Sequence, residues 1–549
     1  MSWWLENITE EQYIDVYSGT AAMGIIHLFQ NEPTCDLDYF ENYFPSKLFR
    51  LNAGIYTIST KQGKLIQFEM KYAQHVTYAA SLRHPRILVL KSRQQGISTM
   101  WLLSYIDDAL TMENMFIGLM SQGKAESKTL FERVTTALEG LPGKVVEFLD
   151  VFVVKDNSEA ISFTNKSMMY IQTSFRSGTL QRLHISEMGK IAAKYPEKAR
   201  ETKAGSLQAI APGNTVVIES TAEGRKNMFY QMWYDAEGFI GQRTPLDFLP
   251  VFLSWVHDPD CVINIPQEMT PTGEEYFIKC ERGVQKMIKD PTFTLRDDQK
   301  WWWLAKYREL AEPDGSNLIF QEYPATPEEA FAAVRDGAYY ARLYKEHIAD
   351  GDRERPGLYD PALPVFAACD LGRNDMWVTI YFQVFHNLKG DLEFRIIGEY
   401  HNFGADIAHY VNEARSRPYK IHKWFLPHDA AVTDLSADKS REDIFRLNGC
   451  KTKVLKRATS RENDIEVVRR AIPNMYIDPV AASYIVDAFY NYSKKWSETL
   501  GAWSNEHLHD EWSNPADAIR YMVMSRLGNA ALGGEKKRKR RKRGGSVAV

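Results

Sequence analysis

The sequence predicts two α/β domains in succession, and three observations carry that expectation. Short apolar runs alternate with helical patterns from residue 86 to residue 236. A stretch rich in proline, glycine and aspartate follows at 350–361, and a second series of apolar runs begins at 365. At 549 residues the chain exceeds one ordinary core, which also calls for more than one domain. Its 44% hydrophobic and 25% charged residues suit a folded chain and exclude wholesale disorder. No apolar run approaches the roughly 20 residues of a membrane span, so a transmembrane protein is not expected. The opening Met1-Ser-Trp-Trp-Leu-Glu has no basic segment followed by an apolar one, so a secretory signal is not expected either. Cys35, Cys261, Cys280, Cys369 and Cys450 are widely spaced, odd in number and form no CxxC pair. That argues against a disulfide framework or a zinc cluster and fits a reducing cytoplasm.

Before about Leu82, short acidic-aromatic segments at 10–17 and 36–44 read as helices packed on something larger. The first clear strand, 86–92, is an apolar run that ends at a glycine-containing turn and enters a helix near Thr99. Strands are expected at 116–120, 168–173, 183–185 and 215–218, and helices at 125–138 and 227–236. Strands separated by helices imply a largely parallel sheet covered on both faces. Beyond the linker, 365–369, 377–384 and 393–400 read as strands that are antiparallel because their connections are short. Helical patterns resume at 407–414, 464–471 and 481–494.

Lys91-Ser-Arg-Gln-Gln-Gly-Ile-Ser-Thr99 lies between the first strand and its helix, where a phosphate loop belongs. Such a loop turns backbone N–H groups and a helix N-terminus toward phosphates, with a cation and a hydroxyl for magnesium. Gly96 permits the turn, and Ser98 or Thr99 supplies the hydroxyl. Ile97 occupies the usual lysine position, however, and Lys91 stands where the first glycine would be. On these residues alone a bare strand–turn–helix junction explains the pattern equally well.

Arg93-Gln-Gln-Gly-Ile-Ser-Thr99 resembles the deviant Walker A motif of large terminase subunits, the DNA-packaging motors of tailed double-stranded DNA bacteriophages. The resemblance implies nucleotide contacts from Lys91, Arg93, Gln94, Gln95, Gly96, Ile97, Ser98 and Thr99. Within that set it puts Arg93 on the phosphates and Ser98 on magnesium. Arg182-Leu-His-Ile-Ser-Glu187 resembles the Walker B strand of that family, which implies Glu187 as catalytic glutamate, with Ser186 in place of the common aspartate. Ser220, Thr221 and Ala222 resemble the coupling motif that senses the γ-phosphate, and 321–331 resembles the segment closing the ATPase domain. Gln74 matches the adenine-contacting glutamine. Arg176, Arg182 and Arg225 are candidates for an arginine finger, with none assigned. Taken singly, Glu187 could cap a helix, Ser220-Thr221 could form a turn, and 321–331 could be a proline-bounded helix start. Their joint order over residues 74 to 331 favours the nucleotide reading.

In the second block, Ala368-Cys-Asp-Leu-Gly372 ends a buried strand with Asp370, and Asp375 follows. Lys423-Trp-Phe-Leu-Pro-His-Asp429 likewise ends in an acid, and Asn514-Pro-Ala-Asp-Ala-Ile-Arg-Tyr521 puts Asp517 near a helix start with Pro515 in its first turn. Two-metal phosphodiester hydrolysis needs such carboxylates around ions about 4 Å apart, and hard oxygen ligands favour Mg²⁺ or Mn²⁺. Asp370, Asp429 and Asp517 resemble the acidic triad of the terminase nuclease domain, which has a ribonuclease-H-like fold. Asp375 and His428 are read as auxiliaries, Asp434, Asp438 and Asp443 as solvated acids, and His507 and His509 as surface groups.

The formal net charge of −4 conceals an unbroken basic octet, Lys536, Lys537, Arg538, Lys539, Arg540, Arg541, Lys542 and Arg543. Removing its eight charges leaves a formal −12. A basic arm on an acidic body suits an anionic partner such as DNA, although it would equally serve solubility. The resemblance implies five segments. They are an N-terminal helical extension (1–64) packed on the ATPase, an ASCE-type P-loop ATPase domain with a mainly parallel sheet (65–345), a linker (346–362), a ribonuclease-H-like nuclease domain with a mixed sheet (363–530) and a flexible basic tail (531–549). It further implies ATP with Mg²⁺, two Mg²⁺ or Mn²⁺ ions in the nuclease, and double-stranded viral DNA as substrate. The implied partners are a portal protein, a small terminase subunit and copies of the chain in a ring, in the host cytoplasm and transiently on the procapsid portal. The alternatives are a helicase-nuclease of recombination or repair, and a non-catalytic DNA-binding assembly protein with a decayed nucleotide site.

Overall fold

The computed structural model describes residues 32–60, 62–157, 159–175, 179–312, 317–332, 337–372, 376–387, 389–432, 439–456, 460–497 and 502–527. The chain forms two compact units that divide between Ala333 and Val334. This division precedes the stretch 346–362 expected as linker, because Tyr340, Ala341, Tyr344 and Ile348 are already buried in the second unit's core. No helix among the described residues is long and apolar enough to cross a membrane.

The first unit is built on eight strands: Arg86–Lys91 (β1), Phe116–Met120 (β2), Val153–Asn157 (β3), Ala160–Phe163 (β4), Met168–Gln172 (β5), Leu180–Ser186 (β6), Ile210–Ser220 (β7) and Leu249–Leu253 (β8). Their order across the sheet is β8-β1-β7-β6-β2-β5-β4-β3. The six strands from β8 to β5 are parallel, whereas β4 and β3 add an antiparallel edge. The sequence reading missed that edge because β4 is only half buried, with an alternating pattern in place of a continuous apolar run.

Every residue of β1 is buried, and its side chains divide by alternation. Ile87 and Val89 join one core, while Leu88 and Leu90 join the core on the opposite face. Covering both faces is what an unbroken Ile-Leu-Val-Leu run serves. Helices Tyr72–Arg83 (α1), Ile97–Thr111 (α2) and Lys124–Glu139 (α3) flank the sheet, and Met188–Lys194 (α4) follows β6. Along α2, Met100, Trp101, Leu102, Leu103, Tyr105, Ile106, Ala109 and Leu110 are all buried, so this helix is a core element buried on every side.

The short helix Lys47–Asn52, capped by Ser46, is anchored to α2 by charge. Arg50 makes two bonds of 2.7 Å to Asp107, and the Tyr56 hydroxyl donates to the same carboxylate at 2.7 Å. Lys47 and Arg182 pair with Asp108 at 2.7 and 2.8 Å. Two carboxylates inside a buried helix are tolerable only with such partners.

Among the described residues, the main sheet of the second unit has six strands: Val365–Asp370 (β9), Trp377–His386 (β10), Leu392–Asn402 (β11), Ile421–Leu426 (β12), Thr452–Val454 (β13) and Met475–Ile477 (β14). The order is β13-β12-β9-β10-β11-β14, with β10 antiparallel to both β9 and β11 and the remaining pairs parallel. Helices Ile407–Ser416 (α5), Arg461–Ala471 (α6) and Ser513–Leu527 (α7) complete the parts used below. Phe366 and Ala368 of β9 enter one core, and Val365, Ala367 and Cys369 the other. The helix expected at 481–494 runs only over Ser483–Asn491. Tyr492 turns extended and buries its ring, and Lys494–Ser497 pairs antiparallel with Ala502–His507.

Candidate nucleotide and carboxylate sites

The chain leaves β1 and turns through Ser92 to Gln95, with Gln94 at φ 71° and Gly96 at φ 70°. Gly96 is required twice over. Its φ lies in the left-handed region, and a Cβ there would stand 2.5 Å from Nε2 of Gln74. Gln74, buried near the start of α1, donates to the Gly96 carbonyl at 2.9 Å and accepts from the Lys71 amide at 2.8 Å. Its amide is thus engaged in buttressing the loop.

A cavity of about 680 Å³ opens beside the loop, lined by Lys91, Arg93, Gln94, Gly96, Ile97, Ser98, Thr99 and Glu187. That size suits a nucleotide. Trp302, Tyr323 and Lys306 form part of its wall, and sequence reasoning gave them no role. Gln95, expected in the same set, turns inward instead. It is buried beside Asp258, whose carboxyl its amide helps to hold in the charged form against the burial that raises it.

Beneath the loop lies a network centred on Glu219, at the end of β7, which sequence reasoning passed over. Glu219 is fully buried, 3.1 Å from Lys91 Nζ and 3.5 Å from His184 Nε2. Ser98 donates to its Oε1 at 2.5 Å and Ser186 donates to the same oxygen at 2.8 Å. Burial opposes the charge on Glu219, but Lys91, His184 and Ser98 outweigh it and hold its carboxyl well below the ordinary range. Burial likewise opposes the charge on Lys91, and the pairs with Glu219 and Glu187 override it to raise that amine. The available signal was an acid closing the apolar run 215–218, one residue before Ser220.

Glu187 follows β6 in a left-handed conformation, φ 59° and ψ 44°. For a non-glycine residue this costs on the order of 1–3 kcal/mol, a strain that clusters at functional sites. Its carboxylate lies 3.5 Å from Lys91 Nζ and 3.0 Å from Lys190 Nζ, and its amide donates to the Glu219 carbonyl at 2.8 Å. Ser220, Thr221 and Ala222 are buried, and Ser220 Oγ accepts from the Gly189 amide at 2.9 Å. A Cβ on Gly189 would lie 2.5 Å from the Thr221 carbonyl, so α4 packs tightly on this turn. The turn thereby links the residues after Glu219 to the helix that begins after Glu187.

Arg93 is 46% exposed, and its guanidinium pairs with the carboxylate of Glu322. Of the three finger candidates, Arg182 is tied to Asp108, Arg225 follows the Ser220–Ala222 turn in contact with its surroundings, and Arg176 lies outside the described residues. Ser98 and Glu187 put hard oxygen donors on the wall of this cavity, which suits Mg²⁺, an ion that binds through one or two carboxylates plus phosphates and water.

In the second unit, Asp370 ends β9, and Asp429 stands in the 3-10 turn His428–Ala431 just past the parallel neighbour β12. Asp517 lies in the second turn of α7, which packs on β9 and β10. The topology brings the three to one end of the sheet, but the side chains do not close into the expected cluster. Among the described residues no group of three His, Cys, Asp or Glu side chains could hold a metal. Asp517 is held by Arg461 at 3.1 Å and Arg520 at 3.3 Å, and Asp429, half exposed, pairs with Arg441 at 3.7 Å. As placed, these acids do not fit a two-ion cage. His507, expected at the surface, is half-buried and bonded to Arg461; burial first and Arg461 second push its pKa down. Asp464, paired with Arg520 at 3.3 Å, joins the same network and was not foreseen. His428 is exposed and Asp443 caps the helix Arg441–Leu447, while Asp375, Asp434, Asp438 and the basic octet lie outside the described residues.

Strand order and site geometry together define the class. The first unit is an α/β fold with a mainly parallel eight-stranded sheet in which one strand, β7, lies between β1 and the Glu187 strand. The second is an α/β fold with a mixed six-stranded sheet. No protein-family model matches the chain, and no curated protein matches it in sequence. Its structural neighbours are large terminase ATPase and nuclease domains of several phages. The large terminase of a thermophilic bacteriophage in complex with ADP is 13% identical, covering 81% of this chain and 95% of its own, at a TM-score of 0.27. The ATPase domain from Thermus phage P74-26 is 14% identical over 47% of this chain and 94% of its own, at 0.28. The nuclease domain of the P22 large terminase is 15% identical over 31% and 86%, at 0.25.

Proposed function

We propose that this protein is a viral DNA-packaging motor, an ATP hydrolase that translocates double-stranded DNA and cuts concatemeric genomes with its second unit. The observation that carries the reading is the meeting of Lys91, Ser98, Glu187 and Glu219 beside one cavity at the end of β1. In the proposed reaction the loop amides and Arg93 hold the phosphates, and Lys91 supplies a fixed positive charge beneath them. Glu187, fixed between Lys91 and Lys190, orients water for attack on the γ-phosphate. Bound magnesium would add charge neutralisation at the β- and γ-phosphates. The turn Ser220–Ala222, bonded to α4, would carry the change at the γ-phosphate into the fold.

The cutting activity rests on topology, with Asp370 and Asp429 at the ends of adjacent parallel strands and Asp517 on the helix packed over them. Mg²⁺ or Mn²⁺ would serve it only once the arginine pairs on Asp429 and Asp517 open, since Arg441, Arg461 and Arg520 hold those carboxylates in this arrangement. Assembly as a ring on a portal, with a small terminase subunit, in the host cytoplasm belongs to the same proposal. The basic arm 536–543 would add sequence-independent affinity for DNA.

The test is ATP turnover by the full chain with and without duplex DNA. Glu187→Gln should lower kcat by about 100-fold or more while nucleotide still binds. Normal turnover in that variant removes Glu187 from the mechanism. A wild-type chain that turns over no ATP points to the non-catalytic assembly protein, and strand separation on forked duplexes to the helicase-nuclease.

A further inference from the structure

Residue 186 sits at the end of the Glu187 strand, facing the hydroxyl of Ser98, and it carries no charge. The two serine oxygens are 3.4 Å apart. A carboxylate is nevertheless present one strand away. Ser186 and Glu219 are lateral partners in the parallel ladder of β6 and β7, and Glu219 is paired on its other side with Val89 of β1. Residues paired this way point to the same face of the sheet, on strands about 4.8 Å apart. The extra methylene of glutamate then lets a side chain rooted on β7 reach both hydroxyls, and it does so through a single oxygen, Oε1.

We infer that Glu219 has taken over, from the neighbouring strand, the task of setting the magnesium-binding hydroxyl of Ser98, so that it is the positioning residue of the metal half of this nucleotide site. By accepting the Ser98 proton, Glu219 turns the lone pairs of that oxygen away from itself and raises their basicity, as outer partners of metal ligands do. Its second oxygen is occupied by Lys91 at 3.1 Å, which keeps the carboxylate ionised in a site without exposure to water. Ser186, donating to the same Oε1, fixes the rotamer. The arrangement accounts for two departures at once. Lys91, displaced from the usual place after Gly96, is the buried counter-ion of a displaced acid, and Ser186 is small because the carboxylate of Glu219 fills the space an acid there would use.

The inference rests on the ATP-hydrolysing reading, and the experiment separates the two. Equilibrium binding of a fluorescent ATP analogue to the full chain is measured in EDTA and across a Mg²⁺ titration. In wild type, Mg²⁺ should tighten binding. In Glu219→Gln the Mg²⁺ needed for half-effect should rise about 10- to 100-fold, while affinity in EDTA changes little. Glu219→Asp, which keeps a charge for Lys91 but withdraws it by one methylene, should shift in the same direction and controls for loss of fold. Adding Ser186→Asp to Glu219→Gln should restore the Mg²⁺ response, which a merely structural role would not permit. An unchanged Mg²⁺ response in both single variants overturns the inference, as does equal weakening in EDTA and in Mg²⁺. A wild-type chain that binds no nucleotide in either condition overturns the ATP-hydrolysing reading itself.

Discussion

Glu322 holds Arg93 twice: its carbonyl accepts from the Arg93 amide at 2.7 Å, and its carboxylate pairs with the Arg93 guanidinium. The segment carrying Glu322 therefore grips the phosphate loop at both backbone and side chain. Ser92, next in the loop, is tied to the Leu253 carbonyl by its amide at 2.9 Å, which fixes the loop to β8 as well. Burial raises the pKa of Glu322, and Arg93 opposes that rise.

An arginine shared between a carboxylate and a phosphate must leave one to serve the other. Glu322→Gln should therefore tighten ATP binding, by about 2- to 5-fold given the modest value of a half-exposed pair. Arg93→Ala should weaken it and abolish turnover. Titration calorimetry on the two variants checks both directions, and weaker binding in Glu322→Gln would show that the pair only builds the loop.

Asp370→Asn should remove DNA cleavage and leave ATP turnover at the wild-type level. The proposed cutting rests on this strand-end carboxylate, so neutralising it should lower nicking by about 10- to 100-fold or more. Plasmid nicking with Mg²⁺ or Mn²⁺ reads the effect. Cleavage that survives EDTA undiminished contradicts a metal-dependent nuclease.

The pair Arg50–Asp107 is almost wholly buried, with side-chain exposures of 8% and 0%. Arg50→Ala leaves Asp107 with the Tyr56 hydroxyl as its remaining side-chain partner and should destabilise the first unit by about 3–5 kcal/mol. Urea unfolding followed by tryptophan fluorescence measures it. Arg50→Met in combination with Asp107→Leu should recover part of the loss, because a buried pair replaced by apolar groups is often neutral, while the Tyr56 hydroxyl stays without its acceptor.

His75 on α1 is buried, and that burial pushes its pKa from 6.5 down to about 3. The folded state thus binds fewer protons than the unfolded chain between those values. This stability is present above about pH 6.5 and is lost as pH falls toward 3, at about 1.4 kcal/mol per pH unit. Melting curves from pH 7 to pH 5 should show the decline, and His75→Phe should flatten it.

The sequence by itself determined the alternation of strands and helices, the sites of β1, β2 and α2, and the antiparallel trio of the second unit. These elements are long apolar or periodic runs whose local pattern matches their burial. It also offered Gly96 for the turn and Ser98 or Thr99 for the hydroxyl from local features, whereas Glu187 entered only through the resemblance, since an acid at a strand end could as well cap a helix. Tertiary structure alone decided which acid faces Ser98, since that depends on β7 lying between β1 and β6, a non-local pairing that no window of sequence contains. The same holds for Glu322 on Arg93 and for the inward turn of Gln95 toward Asp258. It holds too for the arginines that claim Asp429 and Asp517, residues distant along the chain and joined only when strands and helices from separate parts of each sheet come to one end.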